Sequence, residues 1–273
     1  MQTELAQIIS LSSYGNEYIR TGQIDENYFP GSTVFQHCNL VDFRDFKKSF
    51  FSLKQTESIS AQNPLEWFRL LKKEGCVKLQ LYYKPGDKNE FGPEYNLAGF
   101  SGGGGTWLME SNFGNYSHFW HKRWRVTAKD APDKKIWGVN YARVVQKFAP
   151  AKQQMDVEAT KTKLAKTIGE LIEFCIQRNL KDWLETFQKA DKILTDPAPN
   201  KLYYHQDLLV TKNYSLSAQQ LLFAAGTAWV FGGMGWWNDM SFNETEVQEK
   251  YEQLSQQLYE ELLQAIIATP NSF

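Results

Sequence analysis

The alternation of apolar and polar positions changes character about halfway along the chain. Over residues 77–84, Val77, Leu79, Leu81 and Tyr83 fall on one side of a period-2 pattern and Lys78, Gln80, Tyr82 and Lys84 on the other. That pattern predicts a half-buried strand, ending at Pro85-Gly86-Asp87. Residues 106–110, 118–127 and 136–148 read as further strands, and Lys129-Asp130-Ala131-Pro132-Asp133-Lys134 has the composition of a hairpin turn. An antiparallel sheet over 76–148 is the expected result. After Ala149-Pro150-Ala151 the period becomes helical. Val157, Leu164, Ile168, Leu171, Ile172 and Cys175 make one stripe, and Trp183, Leu184, Phe187, Ile193 and Leu194 a second. Val247, Tyr251, Leu254, Leu258, Leu262 and Ala265 make a third, with acidic residues opposite.

Local signals set the helix ends. Asn63-Pro64-Leu65-Glu66 joins an N-cap, a proline at the first helical position and a capping-box glutamate, and Gly75 supplies a stop. Ser217-Ala218-Gln219-Gln220 has the capping-box form and opens a helix through Val230, apolar nearly all round and therefore central. Asn243-Glu244-Thr245-Glu246 opens the last helix in the same way. Upstream, Leu5, Ile8, Ile9 and Leu11 predict a short N-terminal helix, and Phe43, Phe46 and Phe50 recur at helical spacing behind Asp42. The expected architecture is α+β: an antiparallel sheet with flanking helices in residues 1–150, packed against a mainly helical 151–273 as one compact unit.

Composition narrows the class without naming a chemistry. Of 273 residues, 42% are hydrophobic and 22% charged, and the net charge is −1. These are ordinary values for a soluble domain. No apolar run approaches the length of a membrane span, and the first residues lack a basic segment followed by an apolar one. Three widely spaced cysteines, Cys38, Cys76 and Cys175, fit a reducing compartment, so a cytoplasmic location is expected. Charge is unevenly spread: 118–147 holds eight Lys/Arg and two Asp, whereas 239–268 holds seven Asp/Glu and one Lys. The two regions either face each other or offer opposite patches to partners.

Aromatic content is the unusual feature, at 15% with nine tryptophans. It concentrates beside glycine in Gly99-Phe100-Ser101-Gly102-Gly103-Gly104-Gly105-Thr106-Trp107 and Phe231-Gly232-Gly233-Met234-Gly235-Trp236-Trp237-Asn238-Asp239-Met240. The first is no phosphate-binding loop, because the residues after Gly105 read as a strand and no lysine follows. The second reads in two ways. It is a corner, with Gly232 or Gly233 ending a helix and Asn238 or Asp239 holding a turn, or a contact site with Trp236 or Trp237 as anchor.

On strand 118–127, His121, Arg123 and Arg125 share one face, about 7 Å apart, as a row suited to phosphates, carboxylates or an acidic protein surface. Solvation of that face, or pairing with the acidic last helix, is the plainer reading. His118 and His121 point to opposite faces of a strand, and no zinc spacing or nucleophile signature is present, so no metal and no cofactor is expected.

The candidate contact residues are thus Trp107, His121, Arg123, Arg125, Trp236, Trp237, Asn238 and Asp239. Three functions remain open. The first is a cytosolic, non-catalytic protein that binds a protein partner, as an inhibitor or a toxin-neutralising partner of immunity type. The second is a hydrolase or transferase acting on a phosphorylated or acidic substrate, with His121, Arg123 and Arg125 holding charge and Asp239 or His118 moving protons. The third is a small-ligand sensor with an apolar cavity between the halves. Interleaved basic and aromatic residues over 118–147 keep nucleic acid in view, but the slightly acidic chain and missing motifs argue against it.

Overall fold

One mixed sheet of six strands carries helices on one of its faces, in a computed structural model that describes residues 1–48, 55–86, 94–97, 104–153 and 155–273. The elements run α1 (Thr3–Thr21), α2 (Tyr28–Gly31), β1 (Cys38–Lys48), β2 (Gln55–Ala61), α3 (Pro64–Glu74), β3 (Lys78–Lys84), α4 (Glu94–Leu97), β4 (Thr106–Asn112), β5 (Ser117–Val126), β6 (Trp137–Phe148), α5 (Val157–Gln177), α6 (Lys181–Thr195), α7 (Leu216–Thr227) and α8 (Thr245–Asn271). Strand order is β2-β1-β6-β5-β4-β3. The α+β class holds, and β3 to β6 form the expected antiparallel meander. Two strands were not expected. β1 joins β6 in parallel, and β2 adds antiparallel to β1, which makes the sheet mixed.

β1 replaces the helix expected around Phe43 and Phe46, and Phe50 lies outside the described residues. The deciding pattern has period 2, not period 3.6. Val41 and Phe43 are buried, while Asp42 and Arg44, two apart, form a two-pronged ion pair at 2.8 Å along the other face. Phe43 stacks on Trp67 of α3 at 4.2 Å and on Tyr141 of β6 at 5.2 Å, and Trp67 meets Trp120 edge-on at 5.4 Å. This aromatic stack joins α3 to the sheet centre.

The N-terminal helix is also longer than its apolar stripe implied, because it continues with small and polar residues. Ser12, Ser13 and Asn16 are buried, and a side chain at Gly15 would strike Leu79 and Phe68. Glycine therefore lets α1 lie close against β3. The outer edge of β3 is closed by side chains. Asn16 bonds both the N–H and the C=O of Leu79 (2.6 and 2.9 Å). Asn271 does the same for Leu81 (2.7 and 2.9 Å), and Gln153 for Tyr83 (3.0 and 2.9 Å). Three amides thus take the place of a seventh strand, which protects an edge that would otherwise template pairing.

In the C-terminal half α7 is buried nearly all round and touches α5, α6 and α8, as its composition implied. Its cap is Ser215 rather than Ser217, since the Ser215 hydroxyl accepts from the Ala218 N–H at 3.1 Å. It stops at Thr227, and Trp229 to Phe231 continue as buried irregular chain. The expected capping box at Asn243 is absent. Glu244 holds the cap position without a side-chain bond, and Gln248 reaches back to the Phe242 N–H at 2.8 Å. The hydrophobic core is continuous across residues from both halves.

Candidate functional site

Cross-strand register defines a surface opposite the helices. Residues paired side by side share a face, which gives three rows: Leu40–Gly138–Arg125, Asp42–Asn140–Arg123, and Ile59–Arg44–Ala142–His121. α1 and α3 reach the sheet from the other side, through Gln7 on Tyr141, Glu4 on Lys122, and Trp67 on Phe43 and Trp120. At β4 the chain after β6 crosses the open face, where the Ala151 N–H reaches Glu110 at 3.0 Å. Over β1, β2, β5 and β6 no described element lies on it. Of the twelve large hydrophobic residues left exposed among the described residues, five on these strands are Leu40, Ile59, Val144, Val145 and Phe148, whereas Val126 pairs with Trp137 on the helix-facing side. Their clustering marks this region, because scattered exposed hydrophobics carry no such meaning.

The row at His121, Arg123 and Arg125 lies where expected, but its charge is largely spent within the fold. Arg123 meets Glu57 of β2 at 2.5 Å, and Glu57 also lies 3.5 Å from Arg44. The expected pairing with the acidic last helix is therefore corrected: the acids come from β1, β2 and the N-terminal helices. Arg143, on the helix-facing side, pairs with Asp45 and Glu74 and lies over the Trp120 ring at 4.6 Å. Burial, together with Lys122 and Arg123 nearby, lowers the His121 pKa, so the imidazole is neutral at neutral pH. Arg125 is exposed and has no ion pair among the described residues. The face is therefore mixed: Leu40 and Ile59 are exposed on it, Asp42, Asn140 and Ala142 are buried within it, and Arg125 has no ion pair among the described residues.

His118 lies three positions before His121 on β5. His118 is buried, its Nδ1 accepts from the Lys147 N–H at 3.1 Å, and burial with Arg143 and Lys147 lowers its pKa to about 4. The Glu17 pKa is lowered as well, by partners rather than by burial. Burial raises its pKa, but bonds from Lys212, Arg20 and Asn213 outweigh this and bring it to about 2. Both shifts erode stability in acid. The native state resists protonating His118 as pH falls from 6.5 towards 4, and it loses the Glu17 bonds from 4.5 towards 2. Melting temperature should therefore fall in two stages on acidification. Glu17→Gln should flatten the lower stage and His118→Phe the upper one.

The glycine–tryptophan segments divide between packing and exposure. Trp107 is buried against Tyr83, ring centres 4.6 Å apart, and a side chain at Gly105 would strike that tyrosine. Residues 98–103, which hold the first part of this glycine run, lie outside the described residues, as do 87–93. In the second segment Trp237 is 0% exposed and Trp236 46%. Trp237 donates to Ser255 at 2.8 Å among the rings of Phe174, Trp183, Phe187 and Tyr251. Trp236 folds back over Gly232, where a side chain would collide with its indole. Asn238 bonds both backbone groups of Gly232, and Asp239 accepts from the Gly235 N–H at 2.6 Å. Gly235 has φ +81°, so it, rather than Gly232 or Gly233, supplies the left-handed residue. Asn238 and Asp239 are thus turn-holding groups, and Trp237 is a core residue.

Two clusters had no signal in the sequence. Tyr83 donates to Glu94, the Tyr259 hydroxyl lies 3.4 Å from the same carboxylate, and the Gly105 N–H meets the Tyr83 hydroxyl at 3.1 Å. Phe231 packs on Tyr95 and Tyr259, so both glycine segments converge on α4 and α8. Elsewhere a hydroxyl, an imidazole and a carboxylate meet at Thr33, His205 and Asp207. The Thr33 hydroxyl donates to Asp207, an acceptor only, so the 2.7 Å contact with His205 Nδ1 must be donated by the imidazole. The imidazole is then unable to take the hydroxyl proton, as nucleophilic catalysis requires. Asp207 also accepts the Thr33 N–H at 2.9 Å, which caps the short turn Thr33–Phe35. This arrangement fastens a loop.

Among the described residues no group of three His, Cys, Asp or Glu gathers as a metal site, and no helix is long and apolar enough to cross a membrane. Comparison with known protein families, curated proteins and solved structures finds no match.

Proposed function

We propose that the protein is a non-catalytic, cytosolic binding protein that engages a protein partner through the open face of its sheet. The observation that carries this reading is the exposure of Leu40, Ile59, Val144, Val145 and Phe148 on β1, β2 and β6, strands that α1 and α3 pack against from the other side. A specific interface needs about 800 Å² per partner, and a four-stranded face is of that scale. The internal ion pairs make the surface rigid before contact, which reduces the ordering cost of association. Unmatched Arg125 favours a partner with an apolar centre and a carboxylate at its rim. An inhibitor or a toxin-neutralising partner works in this way, by occupying a surface without bond-making.

The test is a paired substitution, Ile59→Asp with Val144→Asp, compared with Ile176→Asp on exposed α5. Surface positions of this kind change stability by about 0.5 kcal/mol or less, so melting should be nearly unchanged in both. Co-purification of a stoichiometric partner should be lost in the sheet-face variant and kept in the helix variant. Equal retention in both would refute the reading.

A further inference from the structure

At the end of the sheet where the β5–β6 hairpin meets the start of β1, a cavity of about 400 Å³ opens to solvent. Its lining is His37, Lys129, Ala131, Lys134, Ile136 and Trp137. Two lysines and a histidine, all exposed, contribute to its lining with no carboxylate among them, beside a tryptophan and two aliphatic residues. Neither lysine makes an ion pair with any described residue. The nearby Asp133 is turned to the backbone, accepting from the Lys135 N–H at 3.1 Å.

The walls are fixed. The Trp137 N–H donates to His37 O at 3.1 Å, and the Thr127 N–H to Ile136 O at 2.9 Å. Asn39 bonds Lys135 O at 2.8 Å and receives the Thr127 hydroxyl at 2.9 Å, while Trp137 packs edge-on against Trp124. Lys134 adopts φ +59°, a left-handed conformation that a lysine rarely takes and a glycine would take without strain.

We propose that this cavity binds a small phosphorylated molecule bearing a flat ring, a ligand of the mononucleotide class. Lys129 and Lys134 hold the phosphate as point charges, and Trp137 supplies the ring contact. The volume lies within the range of small-ligand sites, about 300–1,000 Å³. A nucleic-acid strand fits less well. It needs a continued track of free cations; unpaired Arg125 extends the track by one position, but Arg123 and Arg44 beyond it are matched by Glu57 and Asp42.

The site borders the Leu40–Gly138–Arg125 row of the proposed contact face but shares none of its residues, and its test does not depend on that reading. The test is calorimetric titration at low salt with adenosine 5′-monophosphate, inorganic phosphate, adenosine and a short single-stranded oligonucleotide. The monophosphate should bind saturably below about 1 mM, more tightly than phosphate or adenosine alone. Lys129→Ala with Lys134→Ala should weaken it by about tenfold or more. Lys134→Gly should lose affinity while melting no lower than the parent, which separates a ligand role from a structural one. No saturable binding, binding indifferent to the lysines, or phosphate or adenosine binding as tightly as the nucleotide would overturn the proposal. Tighter binding of the oligonucleotide would overturn it in favour of nucleic acid.

Discussion

Trp237→Ala is expected to destabilise the fold by about 3–5 kcal/mol, the usual cost of truncating a fully buried aromatic residue. The indole is 0% exposed, touches four rings from α5, α6 and α8, and gives its N–H to Ser255. Its removal leaves a cavity that rigid neighbours cannot fill, and it orphans a hydroxyl acceptor. Tyr251 also donates to the Trp237 carbonyl at 2.5 Å, so the turn is held by backbone as well as ring. Trp236→Ala is the internal control. Its side chain lies at the surface on Gly232, and its loss should cost less than about 1 kcal/mol. Chemical denaturation of the two variants measures both quantities, and equal losses would show that the segment is not divided into an inward and an outward indole.

The second large effect is expected at the closed sheet edge. Asn16→Leu and Asn271→Leu should each cost about 2–4 kcal/mol, because each leaves one buried N–H and one buried C=O of β3 without a partner. The apolar replacement keeps approximate volume, so the loss reports hydrogen bonding more than packing. The edge should also become available for pairing between chains. Concentration-dependent association of the folded variants, followed by light scattering, would register that change. Denaturation midpoints close to the parent would show that water replaces the amides readily and that the edge is not effectively buried.

Periodicity carried most of the fold. β3 and the stripes of α5, α6 and α8 follow from the spacing of Leu79, Leu81 and Tyr83 and of the apolar helix positions, and α3 from its Asn63 cap, Pro64 and the Gly75 stop. The reading failed where burial is carried by residues that do not look buried. α1 continues through Ser12, Ser13, Gly15 and Asn16, whose packing against β3 depends on small size and on an amide reaching another strand. β1 was obscured because Phe43 and Phe46 also satisfy helical spacing, and its parallel partner β6 lies about 100 residues away.

The candidate residues of the sheet were legible in type but not in their ion pairs. Arg123 and Arg125 share a face as the strand period requires, yet only the register of β1 and β2 reveals Glu57 beside Arg123. The apolar residues of the same face, Ile59 and Val144 among them, look like ordinary strand residues in the sequence. Their exposure becomes visible only in the fold, where helices among the described residues pack on the opposite side of these strands. Similarly, adjacent Trp236 and Trp237 cannot be told apart by composition. The left-handed Gly235 just before them sends one indole outward and the other into the helices.

The most direct measurement is site-specific photo-crosslinking in the native cell, with the reactive side chain placed at Val144 on the sheet face or at Ile176 on α5. The account requires one discrete crosslinked protein from position 144 and none from position 176. A crosslink from position 176 alone, or no protein crosslink from the sheet face, would contradict it.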